Sequence, residues 1–263
     1  MFHTLTIIAL LVANVCGGII GSLPLPAQPI FGGTDAKEGA APYQVSLQHI
    51  GQHFCGGSII ADRWILTTRL CIENTIPCCI SVLVGTNDKQ SGGSRYDVDR
   101  ILPYGSWNAS IEKNDIALVR LSTPLKISER VKIIKYSTAA FIPDNATLTV
   151  TGWGQVDAVK FTNQLQTLDL QHVALDRCRA IYVKEGARNS TLVSEANLCT
   201  ATRRKSQALC SDDAGSPVIW KGEQVAIVSR LLKQACTPEI PHIHTRVSFY
   251  HDWIQKTIAN NSD

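Results

Sequence analysis

No Lys or Arg precedes Lys37, and no segment after Val15 is long and apolar enough to cross a bilayer as a helix. No Cys-x-x-Cys or Cys-x-x-His pair occurs, so the spacing that marks many structural zinc sites is missing. Internal repeats and low-complexity tracts are absent as well. The formal charge of +3 over 263 residues is mild and gives no argument for a nucleic-acid partner. With 44% hydrophobic and 18% charged residues the composition is ordinary, which excludes disordered and fibrous classes. A chain of this length buries one substantial core or two small ones. Neither metal nor cofactor, and neither membrane nor nucleic acid, is expected to be involved.

What is present begins with an apolar run from Leu5 to Val15, too short for a membrane span and matching the core of a signal peptide. Gly17 and Gly18 suit a cleavage site, so residues 1–17 are expected to be the signal, despite the missing basic n-region. Residues 18–29 are rich in Gly and Pro and read as a short pro-segment before a single domain over 30–263. Removing the signal leaves Cys55, Cys71, Cys78, Cys79, Cys178, Cys199, Cys210 and Cys236. An even cysteine set behind a signal peptide implies disulfides and an oxidising, extracellular compartment. Asn108, Asn145, Asn189 and Asn260 each open an N-x-S/T sequon, which predicts glycosylation. Short β-rich stretches recur at Gln44–Gln48, Ser58–Ile60, Trp64–Thr67, Ile80–Val84, Ile116–Leu121, Leu148–Thr151 and Val225–Ser229, the pattern of a barrel or sandwich. Phe249, Trp253, Ile254 and Ile258 recur at helical spacing, with Ser248 as the expected N-cap.

Six ordered motifs then cover nearly all of the mature chain. They are Ile30-Phe31-Gly32-Gly33 with Pro42 to Gln48, Phe54 to Ser58 running through Trp64 to Thr67 up to Cys71, and Asn114 to Leu118. Thr151-Gly152-Trp153-Gly154, Cys210 to Pro217 and Thr245-Arg246-Val247 follow. Together they resemble the trypsin/chymotrypsin family of serine proteases. The resemblance implies an all-β fold of two antiparallel β-barrels with a C-terminal α-helix. It also implies the pairs Cys55–Cys71, Cys178–Cys199 and Cys210–Cys236. Cys78 and Cys79 are left over. Adjacent cysteines in a strand point to opposite faces, so a bond between them would be strained. Two readings stay open for them: one buried and one exposed thiol, or a disulfide-linked oligomer through Cys78 or Cys79.

Hydrolysis by this family needs a histidine base, an orienting aspartate and a serine nucleophile, in that chain order. The motif positions are filled by Leu70, Asp115 and Ala214. Leucine accepts no proton and alanine offers no nucleophile, so only Asp115 of the triad remains. Ser211, Ser216, His242, His244 and His251 lie nearby in sequence, and each is expected to be a structural loop or helix-proximal residue. Asp212 occupies the oxyanion-loop position, where its carboxylate opposes developing negative charge. Ala208, Leu231 and His242 make a degenerate specificity pocket, with Leu231 crowding the mouth and His242 filling the interior. Activation is altered too, because Pro29 precedes Ile30 where trypsin-like activators need Lys or Arg. Asp213 either receives a freed Ile30 ammonium or is satisfied by local N–H groups.

The expected function is therefore a secreted, non-catalytic protease homologue that binds or regulates an unknown protein partner. Inactive members of the family act as cofactors, decoys or scaffolds. A working endopeptidase is the alternative that the family resemblance alone would suggest. A third reading is an anion-binding surface module, since residues 176–205 carry seven Lys/Arg against three Asp/Glu.

Overall fold

The computed structural model describes residues 32–105, 114–139, 141–154, 162–185, 193–204, 206–209, 213–229 and 240–262. Six antiparallel strands close the first barrel: β2 (Gln44–His49), β3 (Gln52–Ala61), β4 (Trp64–Thr67), β5 (Ile80–Val84), β6 (Ser94–Pro103) and β7 (Ala117–Leu121). Their order around the barrel is β2-β3-β4-β7-β6-β5. The second barrel contains β8 (Thr147–Gly152), β9 (Gln166–Val173), β10 (Asn197–Thr202), β11 (Pro217–Trp220), β12 (Glu223–Val228) and β13 (His242–Arg246). It closes through β8–β9 pairing, and the two-residue strand β1 (Thr34–Asp35) adds to its β9 edge. Closure leaves few bare strand edges, which removes the usual template for edge-to-edge aggregation.

The barrels are built by alternation inside and contact outside. Val45, Leu47, Ile59, Ile65, Val82 and Val119 fill the first, whereas Leu148, Val150, Leu168, Leu170, Val218 and Val228 fill the second. β4 and β7 are buried along their whole length, because one face lies inside the barrel and the other meets neighbouring structure. A third cluster lies between them, where Trp64, Ile116 and Leu118 of the first half meet Ile227, Tyr250 and Ile254. Ile254 is the fully buried anchor of the last helix, α3 (His251–Ala259). Truncating it to Ala would cost roughly 2–5 kcal/mol, the usual range for a buried Ile.

Two disulfides join described cysteines, Cys55–Cys71 and Cys178–Cys199, as the family resemblance implied. Cys210 and Cys236 lie outside the described residues. Cys178 sits on α2 (Leu175–Lys184), so its bond fastens that helix to β10.

Three expectations need correction. Ser248 does not cap the last helix: it lies inside a 3-10 turn, Val247–Tyr250, and its hydroxyl accepts from Arg246 Nε at 2.9 Å. α3 starts two residues later than expected, at His251, and Phe249 faces solvent at 54% exposure. Cys78 and Cys79 are not in a strand but in a 3-10 turn, Pro77–Cys79, immediately before β5. Neither thiol is buried there, since Cys78 is exposed and Cys79 partly so. The cause is Pro77, whose fixed φ suits the first position of a helical turn. Finally, His242 and His244 are strand residues of β13 rather than loop residues.

Candidate functional site

Asp115 follows Asn114, whose φ of 65° turns the chain into β7. The peptide at Asp115 is fixed by Thr245, whose hydroxyl donates to its main-chain oxygen at 2.8 Å. Opposite it stands a short helical turn, α1 (Arg69–Ile72), opened by Thr68, whose side chain accepts from the Cys71 N–H. That geometry aims the start of α1 at the carboxylate. Leu70 N–H donates to Asp115 Oδ1 at 2.7 Å, and the Ser229 hydroxyl donates to Oδ2 at 2.5 Å. The Arg69 N–H adds a third bond.

Asp115 is therefore a buried carboxylate surrounded by donors, with main chain where the family's mechanism requires imidazole. Burial raises its pKa above the ordinary aspartate value, while the Ser229 hydroxyl and the Leu70 and Arg69 N–H groups pull it down. The Arg69 guanidinium also lowers it through its charge. That guanidinium is itself tied to Glu73 at 2.9 Å and to the Tyr104 carbonyl at 3.1 Å. Arg69 was not among the residues expected from the sequence. Its signal was faint: a charged residue inside an otherwise apolar and small-residue motif, directly before Leu70.

Ala214 lies in the cleft-side loop, 3% exposed, with its carbonyl accepting from Gly56 N–H of β3 at 2.8 Å. The next residue, Gly215, has φ of 85° and donates to Val228 of β12 at 2.8 Å. Neither glycine tolerates a side chain. A Cβ on Gly56 would lie 2.1 Å from Ser216 Oγ, and one on Gly215 would lie 2.2 Å from the Gly56 oxygen. The loop thus presses onto β3, one residue beyond Cys55 and its disulfide to Cys71. This is how the fold brings the Ala214 and Leu70 segments together from opposite barrels.

Ser216 is not a displaced nucleophile by its contacts. It is 1% exposed and its Oγ receives Gln44 Nε2 at 3.3 Å. Gln44 in turn accepts from Thr151 at 2.8 Å, and Ser58 donates to Gln224 at 2.6 Å, so buried amides stitch the two barrels together. These bonds were invisible in the sequence because nothing local distinguishes Gln44 or Gln224.

At the specificity position Ala208 is completely buried and brings no charge. His242 and His244 stand on one face of β13, ring centroids 6.5 Å apart and both buried. His244 Nε2 shares a 2.7 Å hydrogen bond with Thr200 of β10. His242 Nε2 and His244 Nδ1 have no hydrogen-bond partner among the described residues. Burial pushes the His242 pKa down to about 4 and, with the neighbouring imidazole adding to it, that of His244 to about 3. Both rings are therefore neutral at pH 7.

Asp213 is fully buried. Ile30, whose freed ammonium was one of two alternatives for it, lies outside the described residues, as do Ser211, Asp212, Leu231 and the sequons at Asn108 and Asn189. Asn145 is exposed at a turn with φ of 62°, and Asn260 is exposed at the end of α3. Within the basic segment, Arg177 pairs with Asp144 at 3.1 Å, and Arg179 pairs with Asp176 at 3.3 Å and Glu195 at 3.1 Å. Among the described residues no cluster of three metal-ligating side chains occurs, and no helix is long and apolar enough to cross a membrane.

Comparison with known proteins places this geometry. The trypsin family model matches residues 30–254. A trypsin from Phaedon cochleariae is 33% identical, over 88% of this chain and 89% of its own length. The anionic trypsin of Canis lupus familiaris is 30% identical, over 96% of this chain and 99% of its own. Among solved structures, the scabies mite inactivated protease paralogue S-D1 superposes with a TM-score of 0.80 at 22% identity, covering 88% of this chain and 97% of that one. Mouse neuropsin, a serine protease, gives 0.77 at 24% identity, covering 87% and 100%. The fold is thus the chymotrypsin-like double barrel, and the chain belongs to the trypsin family.

Proposed function

We propose that this chain is a secreted, non-catalytic member of the trypsin family that acts by binding or regulating another protein. The reading rests on one observation: Asp115 keeps its hydrogen-bonded cradle, yet what it orients is the main chain of Leu70, with Ala214 at the nucleophile position. Without a base and a nucleophile there is no acyl transfer to perform, and removing either group from an intact triad costs roughly a millionfold in turnover. The scabies mite inactivated protease paralogue S-D1 carries the same fold, so the double barrel also occurs in a protein described as inactivated. The trypsins among the relatives favour the opposite reading, a working endopeptidase. A fluorophosphonate probe separates the two. The mature chain should take up none and hydrolyse no peptide or ester above background, whereas stoichiometric, time-dependent labelling of a serine would overturn the proposal. A binding role then leaves the surface loops as the partner-facing elements. Residues 1–17 and 18–29 are proposed as the signal and pro-segment of this secreted form. Anion binding by the basic segment is the third reading; there Arg177 and Arg179 pair with neighbouring carboxylates.

A further inference from the structure

The hairpin of β2 and β3 turns through two residues, Ile50 and Gly51, because His49 pairs with Gln52 across it. Both have positive φ, 50° and 74°, the geometry of a tight hairpin turn that favours Asn followed by Gly. Gly51 suits its place. Ile50 does not, because a β-branched side chain is strained in the left-handed region, where Asn or Gly sits more easily. Four other non-glycine residues among those described have positive φ, three Asn and one Lys, so Ile50 is the β-branched exception. Its side chain is also 84% exposed. A single exposed isoleucine needs no explanation by itself. Here strain and hydrophobic exposure fall on one residue from which the fold gains nothing.

We infer that Ile50 is the anchor of a protein-docking surface, a rigid knob that fills a small, uncharged apolar pocket on a partner protein. The inference deepens the binding role proposed above and rests on it. Strain that persists because its surroundings over-determine it is a mark of function. Such surroundings are present: Gln44 to Gln48 are buried, and both strands are paired up to the turn. A knob held this way loses little freedom on binding. The chemistry of the tip then selects the occupant. No Asp, Glu, Lys or Arg lies between Glu38 and Asp62, so the exposed tip from His49 to Gln52 carries none. That suits the charge-depleted centre of a protein interface. It offers no paired cation to an anionic polymer or a lipid headgroup. A second copy of the chain fits poorly. Two convex tips cannot fill each other across a two-fold axis, and the concavity lined by Glu38, Glu129, Arg130 and Lys132 is charged.

The test sets stability against binding in the full mature chain. Ile50→Asn relieves the turn, so its thermal midpoint should rise by about 2–4 °C, a shift typical of a domain this size. The binding arm places a benzophenone amino acid at position 50, and in a control at position 127, where Ile127 is 53% exposed without positive φ. Irradiation in the native secretion should give a protein adduct from position 50 alone. That protein, once purified, should bind the parent at least about tenfold more tightly than Ile50→Asn, as expected for an interface anchor. Ile127→Asn should bind it like the parent. An unchanged or lower midpoint in Ile50→Asn would show that the turn is unstrained and overturn the inference. So would the absence of a position-specific protein adduct, or equal affinity of parent and Ile50→Asn. An adduct to a second copy, with an Ile50-dependent dimer in sedimentation, would overturn the choice of partner. Fluorophosphonate uptake is read separately, so this inference and the non-catalytic reading fail by different results.

Discussion

In the first barrel the carboxylate of Asp115 retains bonds from Leu70, Arg69 and Ser229, although no imidazole is there to use it. In the second barrel β13 carries His242 and His244, two buried rings that each leave a nitrogen without a partner among the described residues. The contrast separates two kinds of residue. Asp115 answers main-chain donors that the fold itself creates, so losing it would orphan buried N–H groups whether or not the site works. A specificity pocket is an absence of side chains, and on the proposed non-catalytic reading no fold requirement keeps it empty. On that reading the neutral imidazole of His242 would fill it at a cost in an unsatisfied nitrogen rather than in packing.

The largest effect that bears on this comparison is one that should fail to appear. Leu70→His with Ala214→Ser rebuilds the triad beside an Asp115 already held in place. Turnover should still remain at least about 10²–10³-fold below an ordinary digestive protease, the penalty for one missing oxyanion donor. From the family motif, Asp212 is expected to add a like charge at that position, and Leu231 and His242 are expected to deny the substrate side chain its pocket. Activity should rise stepwise only when Asp212→Gly, Leu231→Gly and His242→Gly are added to a chain with Ile30 freed. A double variant with full peptidase turnover would show that the second barrel's changes are cosmetic.

Next comes acid sensitivity. His242 and His244 are neutral when folded, with pKa values near 4 and 3, and return to the ordinary value near 6.5 on unfolding. Unfolded chains therefore bind protons first as pH falls. Stability should be complete above about pH 6.5 and decline from there towards pH 4, on the order of 3 kcal/mol from His242 alone. Chemical denaturation at stepped pH would show this slope, and His242→Ala with His244→Phe should flatten it. An unchanged slope in the double variant would assign the acid loss elsewhere.

Asp115→Ala tests the other barrel. Leaving the Leu70 and Arg69 N–H groups and the Ser229 hydroxyl without their acceptor should cost about 2–3 kcal/mol, the usual penalty for orphaned buried donors. A neutral substitution would mean that Asp115 is a relic with no structural duty, and the contrast between barrels would collapse.

How much of this was legible in the chain follows the same division. Motifs whose residues contact their sequence neighbours, such as Cys55 to Cys71 or Asn114 to Leu118, pointed correctly to the fold and the disulfides. β6, β9, β10, β11, β13 and α2 were not among the elements read from the pattern. β6 is mostly exposed or half-exposed, so it lacks the buried alternation that betrays a strand, and α2 buries only Cys178 and Tyr182. The end of the chain misled because Phe249 fits a helical period yet faces solvent, while a 3-10 turn absorbs Ser248. In the site, substitutions at Leu70 and Ala214 were plain from motif position alone. Arg69, Ser229 and the Gln44–Ser216 bond were not, because each depends on a partner between 35 and 172 residues away.

The smallest effect concerns Ser216, the serine two positions from Ala214 and the one described residue that a sceptic would nominate as a replacement nucleophile. Its hydroxyl is buried, and its bond from Gln44 Nε2, at 3.3 Å, is long. Gln44 holds a second and shorter bond from Thr151 on β8. Removing the Ser216 hydroxyl therefore loosens one stitch of the inter-barrel seam without releasing Gln44. Ser216→Ala should cost about 0.5–1.5 kcal/mol, the net value of one neutral hydrogen bond. Gln224→Leu should cost more, because it takes a 2.6 Å bond from the Ser58 hydroxyl and leaves it only a 3.5 Å contact with the Leu66 carbonyl. Equilibrium denaturation of the two variants should rank them in that order, with fluorophosphonate uptake at background in both and in the parent chain. If Ser216→Ala instead abolished a measurable labelling or esterase signal while leaving stability unchanged, the serine would be chemical rather than structural, and the division drawn between the barrels would have to be moved.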